Sequence, residues 1–469
     1  MDQVISVIQR LEATSQHKDR VGQSLLILQS ILLPSSSSLV NDLVQFGQYF
    51  LSSSSPAVAI GRRVLSAYTI ALCGGSGLDP KHVLSLHDAV GPDNVQFEHL
   101  GEEAFKGENG REKRGDILER LQLMNVRSGW HDEQTTVLRY LHAHLLQEEE
   151  DWEGAAKVLM NIPLEGGTRL VGDEEKLSVY MTIVRLLLEC GEWGQAQTYF
   201  TRASMLIHLT NDKTTQLSYR LAQARIFDFS ARFNEAAQRY HELSFDKDID
   251  EGERMQMLRA AVITSILAPS GPQRSRSLTT LNRDDRLPSL TPALTVMLRK
   301  MLLESIVRPS ELHTFEDLLE PHQRAIVEGG GTVLERAVRE HNVAACAKLY
   351  SNISFVRLGE ILGYDETSNH TSQTTDPIDF IETMVRRMIE QGRLRGWMDQ
   401  PRHLVYFEDR EEDEEGKQVA GGLGVVSGEQ GIGPVSWTER WDGRIRDVSL
   451  EVDRLAGVVA MRHGIKVGG

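Results

Sequence analysis

The fold of this chain is set by two stretches of sequence, TVLERAVREHNVAACAKLYSNISFVRLGEIL (332–362) and PIDFIETMVRRMIEQGRLRGWMDQPRHLVYF (377–407). Apolar residues recur at helical spacing in both stretches, Ser354 can cap the helix that begins at Phe355, and Gly363 and Gly392 follow the last apolar positions. Residues 394–398 and 404–407, joined by a proline-containing turn, have the pattern of a hairpin. The order of elements predicts a winged helix.

The last strand of this unit predicts an interaction surface. Leu404, Val405, Tyr406 and Phe407 are all large and apolar, so both faces of the strand need covering. An open strand edge would pair with another strand. We therefore predict a protein interface at these four residues, with a cover from the chain itself as the alternative.

The winged helix also raises the alternative of nucleic-acid binding. Arg386 and Arg387 lie on the predicted recognition helix, and Arg393 and Arg395 follow it. Several arginines on one element suit phosphate contacts. However, the chain carries a net charge of −16, and an acidic run begins at Glu411. The overall field repels phosphate, so we expect these arginines to cover a solvated face or to pair with acidic groups.

Upstream of the winged helix the sequence repeats with a period of about 40 residues. EEDWEGAAKVL from Glu149, CGEWGQAQTYF from Cys190 and SARFNEAAQRY from Ser230 align, so that aromatic residues and alanines recur in register: Trp152, Trp193 and Phe233; Ala155, Ala196 and Ala236. An aromatic residue that starts a helix, with alanine three positions later, allows close packing of helix pairs. The pattern predicts a mainly α, helical-repeat solenoid.

The end of the chain predicts a second interaction surface. Residues 411–436 are acidic and then glycine-rich, which is typical of a flexible linker. Apolar residues then step by three or four along one predicted helix: Trp437, Trp441, Ile445, Val448, Val452, Leu455 and Val459. Such a seam is typical of helices that pack on partner helices.

The sequence offers little support for an autonomous enzyme. His142 and His144 form a close histidine pair, but residues two apart on a helix point in different directions and cannot both ligate one metal. We expect no cofactor, no metal, no small-molecule ligand and no membrane span. The three cysteines are far apart in sequence, which argues against a disulfide framework. We expect a location in the cytoplasm and nucleus.

Helical repeats before a winged helix resemble the PCI-domain subunits of the proteasome lid, the COP9 signalosome and a translation initiation factor. Five segments are most similar to the signalosome's fourth-subunit family: EEDWEGAAKVLMNIPLE from Glu149, ARFNEAAQRYHELS from Ala231, ILAPSGPQRSRSLTTL from Ile266, EPHQ from Glu320, and LERAVREHNVAACAKLYSNISFVRLGEIL from Leu334. We predict N-terminal repeats at 1–90, a flexible insert at 91–130, TPR-like repeats at 131–300, a PCI domain at 301–410 with its winged helix from 351, and a C-terminal helix at 437–469.

The resemblance implies a non-catalytic subunit of the complex that removes a ubiquitin-like modifier from cullins. It implies that a zinc metalloprotease subunit performs the hydrolysis. It also implies that the repeat arm faces a cullin-RING ligase, that the winged helix joins other subunits edge to edge, and that the terminal helix enters a shared bundle. The paralogous proteasome-lid subunit and a winged-helix nucleic-acid regulator remain alternatives.

Overall fold

The protein is described by a computed structural model. It describes residues 17–33, 39–52, 58–90, 94–106, 109–123, 129–165, 171–325, 331–363 and 377–407, with Ile445, Arg446, Val448, Ser449, Val452 and Leu455 near the C-terminus. The predicted linker at 411–436 lies outside the described residues. Helices make up most of the described chain, and three short strands occur near its end. The predicted mainly α fold is confirmed. The chain divides into two compact units, 1–409 and 410–469.

The N-terminal helices pack around one central helix. They are α1 (His17–Leu32), α2 (Leu39–Ser52), α3 (Val58–Cys73), α4 (Leu84–Val90), α5 (Asn94–Ala104) and α6 (Gly110–Arg120), with a 3₁₀ turn at Pro80–His82. Nearly every residue of α3 from Ile60 to Leu72 is buried, so this helix is covered on all sides. The fully buried Tyr68 donates its hydroxyl to the Leu43 carbonyl at 3.1 Å, which satisfies its polar end.

The predicted flexible insert at 91–130 is corrected by the structure, because α5 and α6 lie within it. One of its glycines is a contact point between helices: a Cβ on Gly101 would lie 1.9 Å from the Ala71 carbonyl oxygen on α3. Only glycine permits so close an approach. Arg114 is also buried there, with its guanidinium 4.8 Å from the centre of the Phe105 ring. A charged and glycine-rich sequence thus belongs to the core, together with Phe97, Ile117, Leu118 and Leu121.

The helical repeats follow as three pairs. They are α7 (Asp132–Glu148) with α8 (Trp152–Met160), α9 (Asp173–Glu189) with α10 (Trp193–Ser204), and α11 (Lys213–Phe229) with α12 (Phe233–Ser244). The second helix of each pair begins at the aromatic residue that the period predicts. Ala155, Ala196 and Ala236 are fully buried, so the short alanine side chain sits where the helices approach one another. The repeat prediction is confirmed.

Each pair turns through a residue with a left-handed backbone. Glu150, Gly191 and Ala231 occupy equivalent places, with φ of 62°, 79° and 58°. The next residue in each turn donates its N–H to the carbonyl five positions earlier: Asp151 to Leu146 (2.9 Å), Glu192 to Leu187 (2.9 Å) and Arg232 to Phe227 (2.8 Å). This is the Schellman helix end, which usually uses glycine. Two of the three turns therefore hold a side chain in a conformation that L-residues avoid.

We expect Ala231→Gly to raise the free energy of unfolding by up to about 1 kcal/mol, because glycine removes the steric cost of the left-handed conformation. The matched change, Gly191→Ala, should lower it by about 1 kcal/mol. No atom lies within 4 Å of the Cβ position at Gly191, so backbone conformation alone decides this effect. Denaturant unfolding of the full chain measures both. If both variants changed the free energy of unfolding in the same direction, the left-handed backbone could not explain the effects.

The chain then passes through four helices toward the winged helix: α13 (Glu251–Leu267), α14 (Pro272–Asn282), α15 (Pro292–Leu302) and α16 (Pro309–Glu316), with 3₁₀ turns at Leu287–Ser289 and Pro321–Arg324. The second of these turns contacts α11, the first helix of the third repeat pair. The Gln323 side-chain amide donates to the buried Asp228 carboxylate at 2.9 and 3.2 Å. The His322 ring lies 3.2 Å from the same carboxylate and stacks on Phe229. These contacts join α11 to the segment that precedes the winged helix.

The winged helix contains α17 (Val333–Leu349), β1 (Asn352–Ser354), α18 (Phe355–Leu362), α19 (Pro377–Glu390), β2 (Gly396–Asp399) and β3 (Leu404–Phe407). Ser354 caps α18 by accepting the Arg357 N–H at 3.3 Å. Gly363 ends α18 with φ of 80°. Both predicted helix boundaries are confirmed. The strands form an antiparallel sheet in the order β1-β3-β2.

Candidate protein-interaction surface

The predicted open edge at Leu404–Phe407 is wrong, because β3 is the middle strand of the sheet. It pairs with β1 on one side and with β2 on the other. Val405 is fully buried and Phe407 nearly so, in a core shared with Phe355 and Val385. Leu404 and Tyr406 are half-buried. The chain itself therefore covers this strand on both edges. The sequence does not predict β1, the three-residue strand that closes one of them.

An exposed aromatic pair marks the outer face of the same sheet. Trp397 on β2 lies opposite Tyr406 on β3, and their rings stack with centroids 4.1 Å apart and planes 8° apart. Trp397 nevertheless leaves 51 % of its surface exposed. Along the described chain β2 pairs only with β3, so its other edge is open. Exposed tryptophans and open strand edges are both features of docking surfaces.

Two of the four arginines near the recognition helix are neutralised within the fold. Arg386 pairs with Glu382, which also accepts the Gln400 side-chain amide at 2.9 Å. Arg393 forms a two-pronged ion pair with the buried Glu340 of α17, in which one nitrogen–oxygen distance is 3.2 Å. Arg387 and Arg395 are exposed. Because two of its four arginines pair with carboxylates, the predicted basic strip is poorly suited to a phosphate backbone.

Four of the predicted C-terminal seam residues are described. Ile445, Val448, Val452 and Leu455 are helical, and each is 57–62 % exposed. Trp437, Trp441 and Val459 lie outside the described residues, so their part of the seam stays a prediction. Large apolar side chains exposed at helical spacing form a face that suits a partner helix.

Two of the cysteine thiols are buried, and the close histidine pair lies on one helix. Burial raises the pKa of the Cys73 thiol to about 12 and that of the Cys346 thiol to about 11, so both stay protonated at neutral pH. His144 lies 3.9 Å from Glu148 on its own helix, and burial lowers the pKa of His142. Within the described ranges no three His, Cys, Asp or Glu residues cluster as a metal site would require. None of the described helices has the length and hydrophobicity needed to cross a membrane.

Two family models match the chain. One described as PSMD12/CSN4, N-terminal, matches residues 103–252, and one described as PCI domain matches residues 316–409. The first match begins inside α5, in agreement with the helical structure found there.

Full-length relatives agree with these matches. A COP9 signalosome complex subunit 4 from Drosophila melanogaster is 42% identical over 62% of this chain and 68% of its own length. Those from Emericella nidulans and Dictyostelium discoideum are 35% and 34% identical, over 74% and 86% of this chain and 78% and 89% of their own lengths. The matched regions include both the repeat arm and the winged helix, and on these grounds the chain belongs to the COP9 signalosome subunit 4 family of PCI-domain proteins.

Proposed function

We propose that this chain is a non-catalytic subunit of the COP9 signalosome. In this role it holds other subunits in position and engages a cullin-RING ligase while another subunit hydrolyses the bond to the ubiquitin-like modifier. The observation that carries the proposal is the similarity to a signalosome subunit over 86% of the chain. We further propose that it acts in the cytoplasm and nucleus, where it would encounter these ligases.

The geometry of the described surfaces supports a role in assembly. The winged helix offers the exposed Trp397 beside the open edge of β2, and the C-terminal unit exposes an apolar helical face. Each of these features favours a protein partner, because burying exposed apolar surface is the main source of association energy. The pairing of Arg386 and Arg393 with carboxylates argues against the nucleic-acid alternative.

A pull-down of the tagged chain tests the proposal. We expect the other signalosome subunits to accompany the chain in mass spectrometry of the eluate, together with cullin-RING ligase components at lower amounts. Recovery of proteasome-lid subunits instead would assign the chain to the paralogous complex. Recovery of the chain alone would overturn the proposal.

The exposed tryptophan of the wing provides a sharper test. We expect Trp397→Glu to weaken recovery of neighbouring subunits by roughly 30-fold, because interface tryptophans often contribute about 2 kcal/mol or more to binding. The matched control is Trp193→Glu, since Trp193 is 43 % exposed and starts α10 in the repeat arm. Quantitative mass spectrometry of the pull-down compares the two. Equal recovery would show that the outer face of the sheet is not an interface.

A further inference from the structure

A groove of about 600 Å³ crosses the N-terminal part of the repeat arm. It is bounded by the 3₁₀ turn at Pro80–His82, by α7, by the first turn of α9 and by residues 209–215 at the start of α11. We call it the acidic groove. The residues that decide its chemistry are Lys81, Tyr140, Glu174, Glu175, Leu209 and Asp212. None of the residues predicted from the sequence as interface positions lies in it.

The floor of the acidic groove is apolar. Val137 and Leu177 are buried beneath it, and the His82 ring lies over the Tyr140 ring with centroids 4.2 Å apart. Leu209 lines the groove with 51 % of its surface exposed. An exposed leucine in a concave site favours contact with an apolar side chain of a partner.

The lining of the groove is negatively charged. Hydrogen bonds from the hydroxyls and backbone N–H groups of Thr214 and Thr215 lower the pKa of Asp212 to about 2, so this carboxylate is ionised at neutral pH. Glu174 and Glu175 stand in the first turn of α9. The charged side chains that line the groove are three carboxylates, those of Glu174, Glu175 and Asp212, and one lysine, Lys81.

The carboxylate of Glu174 is available for a partner. It is exposed, and no hydrogen bond or ion pair links it to another described residue. Glu175 lies beside it, 3.5 Å from the Tyr140 hydroxyl. A cationic side chain placed between these carboxylates would make charge-assisted hydrogen bonds next to a low-dielectric floor, where they are stronger than on an open surface.

We propose that the acidic groove binds an extended segment of a partner protein in which an arginine or lysine stands near a leucine-like side chain. The cation contacts Glu174 and Glu175, and the apolar side chain contacts Leu209. Charge complementarity selects the cation, and Leu209 distinguishes a peptide from a simple polyamine, which would need the carboxylates alone. This inference does not depend on assembly of the signalosome, since all of its residues lie within this one chain.

Selection from a random peptide library displayed on phage, with the full chain as bait, tests the proposal. We expect enriched peptides to combine arginine or lysine with leucine-like residues. Their binding should fall roughly tenfold or more in the double variant Glu174→Arg/Glu175→Arg, and it should weaken as salt rises. Enrichment without basic residues, or no enrichment, would overturn the proposal.

The chain supplies a matched control for the charge reversal. Glu251 and Glu253 are likewise exposed carboxylates in the first turn of a helix, α13, and they lie outside the groove. Glu251→Arg/Glu253→Arg should leave peptide binding unchanged while imposing a similar cost on its helix. Leu209→Ser should weaken the selected peptides and leave spermidine binding unchanged. If both double arginine variants lost peptide binding equally, or if Leu209→Ser left peptide binding unchanged, the groove would not be the binding site.

Discussion

Replacing Glu340 with alanine is expected to lower the free energy of unfolding by about 3–5 kcal/mol, because it removes the ion-pair partner of the largely buried Arg393 side chain. Glu340 lies on α17 and is 6 % exposed. It accepts two hydrogen bonds from Arg393, which follows α19, and thereby ties the two longest helices of the winged helix together. Denaturant unfolding of the full chain measures the loss.

A second buried cation makes the loss larger than that of an ordinary surface pair. Arg274 on α14 is 3 % exposed, and burial lowers its pKa to about 10 despite the attraction of Glu340. The neighbouring His341 adds no charge at neutral pH, because burial lowers its pKa to about 4. Glu340 therefore acts on two arginines: its removal leaves Arg393 without its ion-pair partner and leaves Arg274 with the attraction of Glu304 alone.

A double variant separates the charge effect from the packing effect. Glu340→Leu with Arg393→Met should recover part of the loss, since both partners of the pair become apolar and Arg274 keeps the attraction of Glu304. Glu340→Gln should fall between the wild type and Glu340→Ala, because it keeps a hydrogen-bonding group without the charge. A free energy of unfolding for Glu340→Ala within about 0.5 kcal/mol of the wild type would mean that the pair is not buried in solution.

The repeat arm could be predicted from sequence because its signals are local. An aromatic residue that starts a helix and an alanine three positions later recur every 40 or 41 residues, and Trp152, Trp193 and Phe233 begin helices in the structure. The caps at Ser354 and Gly363 are local in the same sense. Each signal needs only a few neighbouring residues to be recognised.

The predictions that the structure contradicts concern contacts between residues that are distant in sequence. The sequence of residues 91–130 predicts a flexible insert, whereas in the structure Gly101 packs against α3, and Arg114 contacts Phe105 and the Gly74 carbonyl. Likewise β1 is too short to be recognised as a strand, yet its pairing with β3 closes the edge that the sequence leaves open. Periodicity alone cannot report such contacts.

Replacing Val405 with aspartate is expected to lower the free energy of unfolding by about 4 kcal/mol or more, because the carboxylate would be buried without a partner. Val405 is fully buried on the middle strand, paired with Ile353 and Met398. Any loss of partner binding in this variant would follow from damage to the winged helix. If Leu404–Phe407 formed the interface that the sequence predicts, the same change would weaken docking and leave the domain folded.

Two measurements on Val405→Asp distinguish these explanations. Limited proteolysis should cut the variant within 350–407 far faster than the wild type, since opening of the winged helix exposes its strands. The matched change Trp397→Asp places the same charge on the outer face of the sheet, where Trp397 is half exposed, and should cost only about 0.5–1.5 kcal/mol through loss of the Tyr406 stack. If Val405→Asp resisted proteolysis like the wild type yet lost its partners, the strand would act as an interface after all, and the burial of Val405 would have to be abandoned.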